Sequence, residues 1–206
     1  MTSSSFTQIG SDIKAEAIGD EFGTSVSLSA DGSIMAIGAP EGNDIDSGYV
    51  RIFKNLNGTW NQIGSDIDGK VRGDHSGYSV SLSNDGSVVA IGAHSFESYW
   101  YSKYSGSSGV VRIYKNINNN WTQLGSDIEG EAMGDYSGWS VSLSADGSVV
   151  AFGSPQLHYS GGNENTSRHD SGYVRIYKNV NNTWIKIGDD IVGEGATDSS
   201  GRSVSL

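Results

Sequence analysis

The feature that most constrains this chain is that it repeats itself. The text WTQLGSDIEGEAMGDYSGWSVSLSADGSVVAFGSP begins at Trp121, runs through a polar loop into DSGYVRIYKN, and starts again at Trp184. Earlier copies start at Trp60 and near Phe6. Aligned on Gln8, Gln62, Gln123 and Lys186, the copies are spaced by 54, 61 and 63 residues. Periods this long belong to propellers, solenoids or arrays, in which one repeat is one supersecondary unit. The spacing varies almost entirely in the segment before the Val-Arg-Ile motif. Fixed strands with one elastic loop explain that.

Each unit carries four strand-like runs. The first is Ser-Val-Ser-Leu-Ser, at Ser79 to Ser83 and Ser140 to Ser144, with apolar residues alternating with serine. That is the period-2 signature of an extended chain. An Asp-Gly pair follows (Asp31-Gly32, Asp85-Gly86, Asp146-Gly147) and predicts a tight hairpin turn. The second run is Val88 to Ala93. The third is Val110 to Lys115, or Tyr173 to Lys178, rich in β-branched and aromatic residues. An Asn-rich turn (Asn116 to Asn120, Asn179 to Asn182) leads to the fourth run, Trp121 to Ile128 or Trp184 to Ile191. No stretch shows apolar spacing at helical period, so almost no helix is expected.

Four antiparallel strands per unit, repeated, is the sequence form of a β-propeller blade. One repeat cannot bury both faces of its sheet alone and needs a neighbour on each side. A two-sheet sandwich has similar short strands, but sandwiches do not normally repeat their sequence internally. The expectation is one all-β propeller-type domain over 1–206, with repeats at about 6–59, 60–120 and 121–183 and a partial copy at 184–206. Phe6 to Ile13 matches a fourth strand and Ser203 to Leu206 a first strand, giving about three and a half repeats. Unpaired edges recruit other chains. The chain is therefore expected to be part of a larger ring, or to assemble with further repeats, other protein chains or copies of itself.

The net charge of −11 disfavours nucleic acid and anionic membrane as partners, both of which need a basic face. Arg51, Arg112 and Arg175, with Lys54, Lys115 and Lys178, recur once per repeat on the third strand. They read as partners for acidic residues rather than as a patch. There is no cysteine, hence no disulfide and no Cys-based metal site. No apolar run is long enough to insert in a membrane, and Met-Thr-Ser-Ser-Ser-Phe does not read as a signal peptide.

Phe22-Gly23-Thr24-Ser25-Val26, Ile37-Gly38-Ala39-Pro40 and Gly48-Tyr49-Val50-Arg51-Ile52-Phe53 follow one another in the first full unit. Looser versions recur in phase, at Ser76 to Val80 with Ile91 to His94 and at Ser137 to Val141 with Phe152 to Pro155. This resembles the FG-GAP repeat, the blade unit of integrin α-subunit propellers. The resemblance implies a non-enzymatic extracellular or cell-surface module for adhesion or scaffolding that binds protein partners through loops. Many such units also hold calcium between the two motifs. Here that place offers Ser-Ala-Asp-Gly-Ser or Ser-Asn-Asp-Gly-Ser, one carboxylate where a hard cation wants six to eight oxygens. A plain hairpin without a metal or other cofactor is expected.

The recurring Asp20, Asp74, Asp135 and Asp198 could each cap their own loop, or together ring one mouth and bind a cation. A residue present in every copy is usually structural, which favours the cap. The parts that break the repeat are the loops between the second and third strands. One holds Phe96, Tyr99, Trp100, Tyr101 and Tyr104; another holds His158, Tyr159 and His169. Loops on rigid scaffolds commonly carry function, and aromatic rings suit sugar faces and protein contacts. A lectin-like, carbohydrate-binding propeller using these residues is the alternative reading. The same rings could instead fold onto their own sheet. A propeller hydrolase or lyase is a third reading, with no nucleophile motif, phosphate loop or metal spacing to support it. Asn57, Asn120, Asn165 and Asn181 stand in Asn-x-Ser/Thr sequons, sites for glycans if the chain is secreted by a eukaryote.

Overall fold

The computed structural model describes residues 6–43, 46–94, 108–131, 134–155, 171–195 and 198–206. These residues form three antiparallel sheets, one per repeat, and contain no helix. The first sheet runs in order through β1 (Ser25–Leu28), β2 (Ile34–Ala39), β3 (Tyr49–Leu56) and β4 (Thr59–Gln62), with β5 (Ile67–Asp68) also paired to β3. The second is built likewise from β6 (Ser76–Leu82), β7 (Val88–Ala93), β8 (Val110–Ile117), β9 (Asn120–Gln123) and β10 (Ile128–Glu129). The third comprises β11 (Ser140–Leu143), β12 (Val149–Ser154), β13 (Tyr173–Val180), β14 (Thr183–Lys186) and β15 (Ile191–Val192).

Two turns fix the register. In the first hairpin the Asp31 carboxylate accepts hydrogen bonds from the Ser29 hydroxyl at 2.7 Å and the Ser33 amide at 2.9 Å. The Ser29 hydroxyl in turn accepts from the Ile34 amide at 2.9 Å. Asp85 and Asp146 repeat the arrangement. The expected hairpin is therefore present, and its one carboxylate is engaged by its own turn. The second turn is a two-residue loop, Asn57-Gly58, Asn118-Asn119 or Asn181-Asn182, with every residue at positive φ. Asn and Gly tolerate that conformation. Asn55, Asn116 and Asn179 brace these loops by accepting a backbone amide three residues on.

The fourth strand differs from expectation. It is split in two, and both pieces pair with the third strand. The break falls at Gly64, Gly125 and Gly188, each at positive φ. It swings Asp66, Asp127 or Asp190 under the arginine of the third strand. Two further expected strands are also not formed. Phe6 to Ile13 and Ser203 to Leu206 keep the contacts of a fourth and a first strand without a ladder partner among the described residues. Gln8 donates to Asp12 as Gln62 donates to Asp66.

The core lies in two seams between sheets. Ala36, Val50, Ile52 and Ile67 of the first sheet meet Leu82, Val89 and Ile91 of the second. On the other face, Val88, Ala90, Val111, Ile113 and Ile128 meet Val141, Leu143, Val150 and Phe152 of the third. Successive residues of β7 thus serve opposite seams, and the whole strand is buried. Burying one such side chain is worth about 1.5–3 kcal/mol. The serines of the first strand stitch the same seams. Ser25, Ser79 and Ser140 donate to the carbonyl oxygens of Gly77, Gly138 and Gly201 in the next copy, at 2.6, 2.7 and 2.8 Å. Ser27, Ser81 and Ser142 accept the amides of Leu82, Leu143 and Leu206, at 3.0, 2.9 and 3.0 Å. The alternation of serine with Val and Leu is a sheet-to-sheet hydrogen-bond row interleaved with a seam core.

Candidate functional site

Repeat positions fall into two groups, one held by the fold and one left to vary. Each third-strand arginine is buried and faces a carboxylate from the split fourth strand. Arg51 forks onto Asp66, with Nε at 3.0 Å and Nη2 at 2.9 Å from Oδ2. Arg175 forks onto Asp190, with Nε 2.9 Å from Oδ1 and Nη2 2.8 Å from Oδ2. Arg112 reaches Asp127 at 2.9 Å. Burial works against the charged form of Asp127, but hydrogen bonds from Lys70, Arg112 and Gln123 outweigh it and hold the carboxyl at about 2. Arg175 holds Asp190 at about 2 as well. The arginines are thus acid partners, as their spacing implied, while Lys54, Lys115 and Lys178 are exposed.

The recurring aspartates are caps. Asp20, Asp74, Asp135 and Asp198 accept the amides of Ala17, Lys70, Glu131 and Gly195. Three of them also bind inward. Asp20 accepts the Tyr49 hydroxyl at 2.8 Å, and Asp135 accepts that of Tyr173 at 2.6 Å. Burial and these carboxylates push both phenols up to about 12. Asp74 instead accepts Arg112 Nη1 at 2.7 Å, because Val110 stands where the other repeats have tyrosine. Arg51 and Arg175 lie over the rings of Tyr49 and Tyr173, at 4.9 and 4.2 Å, and pair with Glu16 and Glu131. At the glutamate position the second repeat has Lys70, which turns to Asp127 at 2.7 Å. Two substitutions, tyrosine to valine and glutamate to lysine, re-route one ion-pair network. A third tie crosses the seams further out. Trp60, Trp121 and Trp184 donate their indole N–H to the carbonyls of Ile9, Ile63 and Leu124 in the preceding copy.

The variable group sits on the turn at the start of each first strand, which in the second sheet overlaps the first residues of β6. Thr24, Tyr78 and Trp139 donate their amides to the carbonyls of Glu21, His75 and Tyr136 three residues earlier. A glycine at positive φ precedes each donor, as tight turns of this hand require. Glu21, His75, Tyr136 and Ser199 all have φ between 50° and 54°. Such backbone costs about 1 kcal/mol or more for a non-glycine residue and persists only where the surroundings impose it. The backbone is therefore constant while the side chains change: Glu21, His75, Tyr136, Ser199 in one column, Thr24, Tyr78, Trp139, Arg202 in the other.

At the second seam these columns build a cluster of rings. His94, which stands where the flanking repeats have Pro40 and Pro155, stacks on Tyr78 with centroids 3.8 Å apart and planes at 19°. Trp139 meets His94 edge-on at 5.3 Å and lies 4.9 Å from Tyr78, tilted by 56°. His75 and Tyr136 flank at 5.7 and 6.3 Å. His94 is 5% exposed and its Nδ1 has no hydrogen-bond partner. Burial, helped by His75, lowers its pKa to about 4, so the ring is neutral. Tyr78 and Trp139 remain half-buried. The Tyr78 phenol is pushed up by burial, with Arg202 opposing and Glu21 adding to the shift.

Sequence reasoning looked for a site in the long loops and missed this one. Phe96, Tyr99, Trp100, Tyr101, Tyr104, His158, Tyr159, His169 and the sequon at Asn165 lie outside the described residues. The signal was present in the alignment as two varying columns, one directly after a recurring aspartate and one directly after a recurring glycine. Of the other sequons, Asn57 and Asn181 are exposed in the two-residue loops, and Asn120 is exposed as the first residue of β9. Among the described residues no three His, Asp or Glu side chains are grouped to hold a metal ion.

No family model matches the chain, and no curated protein matches it. Solved structures do. Kuenenia stuttgartiensis hydrazine synthase matches over 97% of this chain and 42% of its own, at 12% identity and a TM-score of 0.52. Saccharomyces cerevisiae Sqt1 matches over 87% of this chain and 37% of its own, at 11% identity and a TM-score of 0.50. The chain spans less than half the length of either. At these identities the likeness concerns the fold alone, an all-β array of antiparallel sheets.

Proposed function

We propose that the three sheets are consecutive blades of a β-propeller, and that the chain is a non-enzymatic binding scaffold of the adhesion or structural kind. The division within each repeat carries this reading. Recurring residues are consumed in holding sheets together: the serine rows, the tryptophan ties, the Arg–Asp pairs and the capping aspartates. Varying residues stand on rigid turns at the same place in every copy, where Glu21, Thr24 and Arg202 are exposed to partners. Sites of this type, on a constant frame, suit recognition better than chemistry.

The packing supports the propeller part. The turns at the first strands stand side by side from copy to copy, since Ser25, Ser79 and Ser140 each donate to the turn glycine of the next copy, which a ring of blades requires. The outer faces fit as well. Leu28 is 53% exposed where the equivalent Leu82 and Leu143 are 7% and 5%, and Val26 is 54% exposed where Val141 is 9%. Ile191 is 56% exposed where Ile67 and Ile128 are 5%. Further repeats of the same kind would seat there. The extracellular setting belongs to the same proposal and rests on the FG-GAP resemblance.

Surface plasmon resonance with the immobilised chain and a panel of extracellular matrix proteins tests the scaffold. A parallel screen uses chromogenic ester, lactone, glycoside and phosphate substrates. Saturable protein capture without turnover is the expected result. Turnover that is lost when Tyr78 or Trp139 is replaced contradicts the proposal.

A further inference from the structure

The rim cluster has a composition that narrows its ligand. Two half-buried rings, Tyr78 and Trp139, sit 4.9 Å apart at an angle, backed by the buried His94. The turns on either side carry exposed side chains of opposite sign, Glu21 and Arg202: Ser25, just after the first turn, donates to the Gly77 carbonyl beside Tyr78, and Gly201, next to Arg202, accepts from Ser140 beside Trp139. The backbone beside them is already spent. The carbonyl oxygens of Gly77, Gly138 and Gly201 each accept a serine hydroxyl from the preceding copy. The amides of Tyr78 and Trp139 are closed inside their turns. An extended peptide would need such free backbone groups to pair with. What remains is an aromatic floor with one strong donor group and one strong acceptor group at its edges. A pyranose ring has the matching form, with a face of C–H bonds for the rings and hydroxyls around its rim that both donate and accept.

We infer that the turns carrying Glu21, Tyr78, Trp139 and Arg202 form a carbohydrate site that takes a neutral saccharide ring, stacked on Tyr78 and Trp139 and hydrogen-bonded by Glu21 and Arg202. The ligand is neutral because the chain carries a net charge of −11, which repels sulfated or uronate-rich glycans at range. This deepens the proposed scaffold role and rests on it: the saccharide would be the group through which a partner is held.

The test is a glycan array of neutral and sulfated oligosaccharides probed with the full chain, followed by calorimetric titration of the strongest neutral hit. Three variants are titrated alongside: Arg202→Gln, Glu21→Gln and Trp139→Leu. The first two alter exposed side chains and leave folding intact, which the melting temperature checks. Each variant is expected to bind about tenfold more weakly, the loss of one charge-assisted hydrogen bond or one stacking face. An array with no neutral hit overturns the inference. So does a hit that all three variants bind unchanged, or binding confined to sulfated glycans. Capture of matrix proteins that survives their enzymatic deglycosylation overturns the saccharide site while leaving the scaffold role standing. Turnover of a substrate removes the scaffold role itself.

Discussion

Arg112 Nη1 lies 2.7 Å from Asp74 Oδ2, and both side chains are almost wholly buried. Neither Arg51 nor Arg175 makes the equivalent contact, because Tyr49 and Tyr173 occupy Asp20 and Asp135 first. One aspartate position therefore holds a neutral hydroxyl in two repeats and a cation in the third. Removing its charge should have unequal consequences. Asp74→Asn weakens a buried ion pair and should cost about 3 kcal/mol. Asp20→Asn keeps a neutral hydrogen bond to Tyr49 and should cost about 1 kcal/mol. Urea unfolding of the two variants decides it, and equal losses would contradict the re-routed network.

Acid should unfold the chain through Asp127 and Asp190. Both carboxyls are held at about 2, below the ordinary 3.8. A carboxyl depressed in the folded state stabilises fully above its unfolded value, and that stability is lost as pH falls toward the folded one. Stability should therefore decline between about pH 4 and pH 2, and Asp127→Asn should flatten part of that decline. Chemical denaturation at half-unit pH steps reads it out.

His94 produces a separate window. Its pKa falls from 6.5 to about 4 on folding, so the unfolded chain binds the proton more readily. Its contribution is complete above pH 6.5 and is lost as pH drops from there to about 4. The total is about 3 kcal/mol as an upper figure. His94→Phe keeps the stack on Tyr78 and should abolish the dependence in that window. An NMR titration showing His94 near its ordinary pKa would contradict its burial beneath Tyr78 and Trp139.

The glycine of the second strand is fixed by the neighbouring sheet. A Cβ on Gly92 would run into the Gly138 carbonyl oxygen, whereas one on Gly32 would meet nothing within 4 Å. Gly92→Ala should thus cost several times more than Gly32→Ala, which carries only the strain of positive φ, about 1 kcal/mol. Thermal melts of the pair suffice. Similar costs would mean that the seam is looser than described.

Much of this was legible in the repeat. Val88 to Ala93 and the Asp-Gly hairpins appear where alternation and turn chemistry put them, since both signals are local. The split of the fourth strand was not legible, because Gly64-Ser65-Asp66 looks like any polar interruption until Arg51 is seen to need Asp66. The serines of Ser-Val-Ser-Leu-Ser read as one face of a strand, yet their partners are the next copy's backbone some 52 to 64 residues away. The ring cluster was missed for a different reason. Tyr78 and Trp139 lie inside the repeat, and a search for what interrupts the repeat passes over columns that vary within it.

Amide hydrogen exchange at Leu143 tests the stacking of sheets most directly. This amide donates across the seam to the Ser81 hydroxyl at 2.9 Å, and its side chain lies in the seam core. It should exchange as slowly as the amides of β7, and Ser81→Ala should speed it selectively while leaving β7 protected. Exchange at the rate of an open loop in the unaltered chain would show that consecutive sheets do not pack on one another, and the account would fail with it.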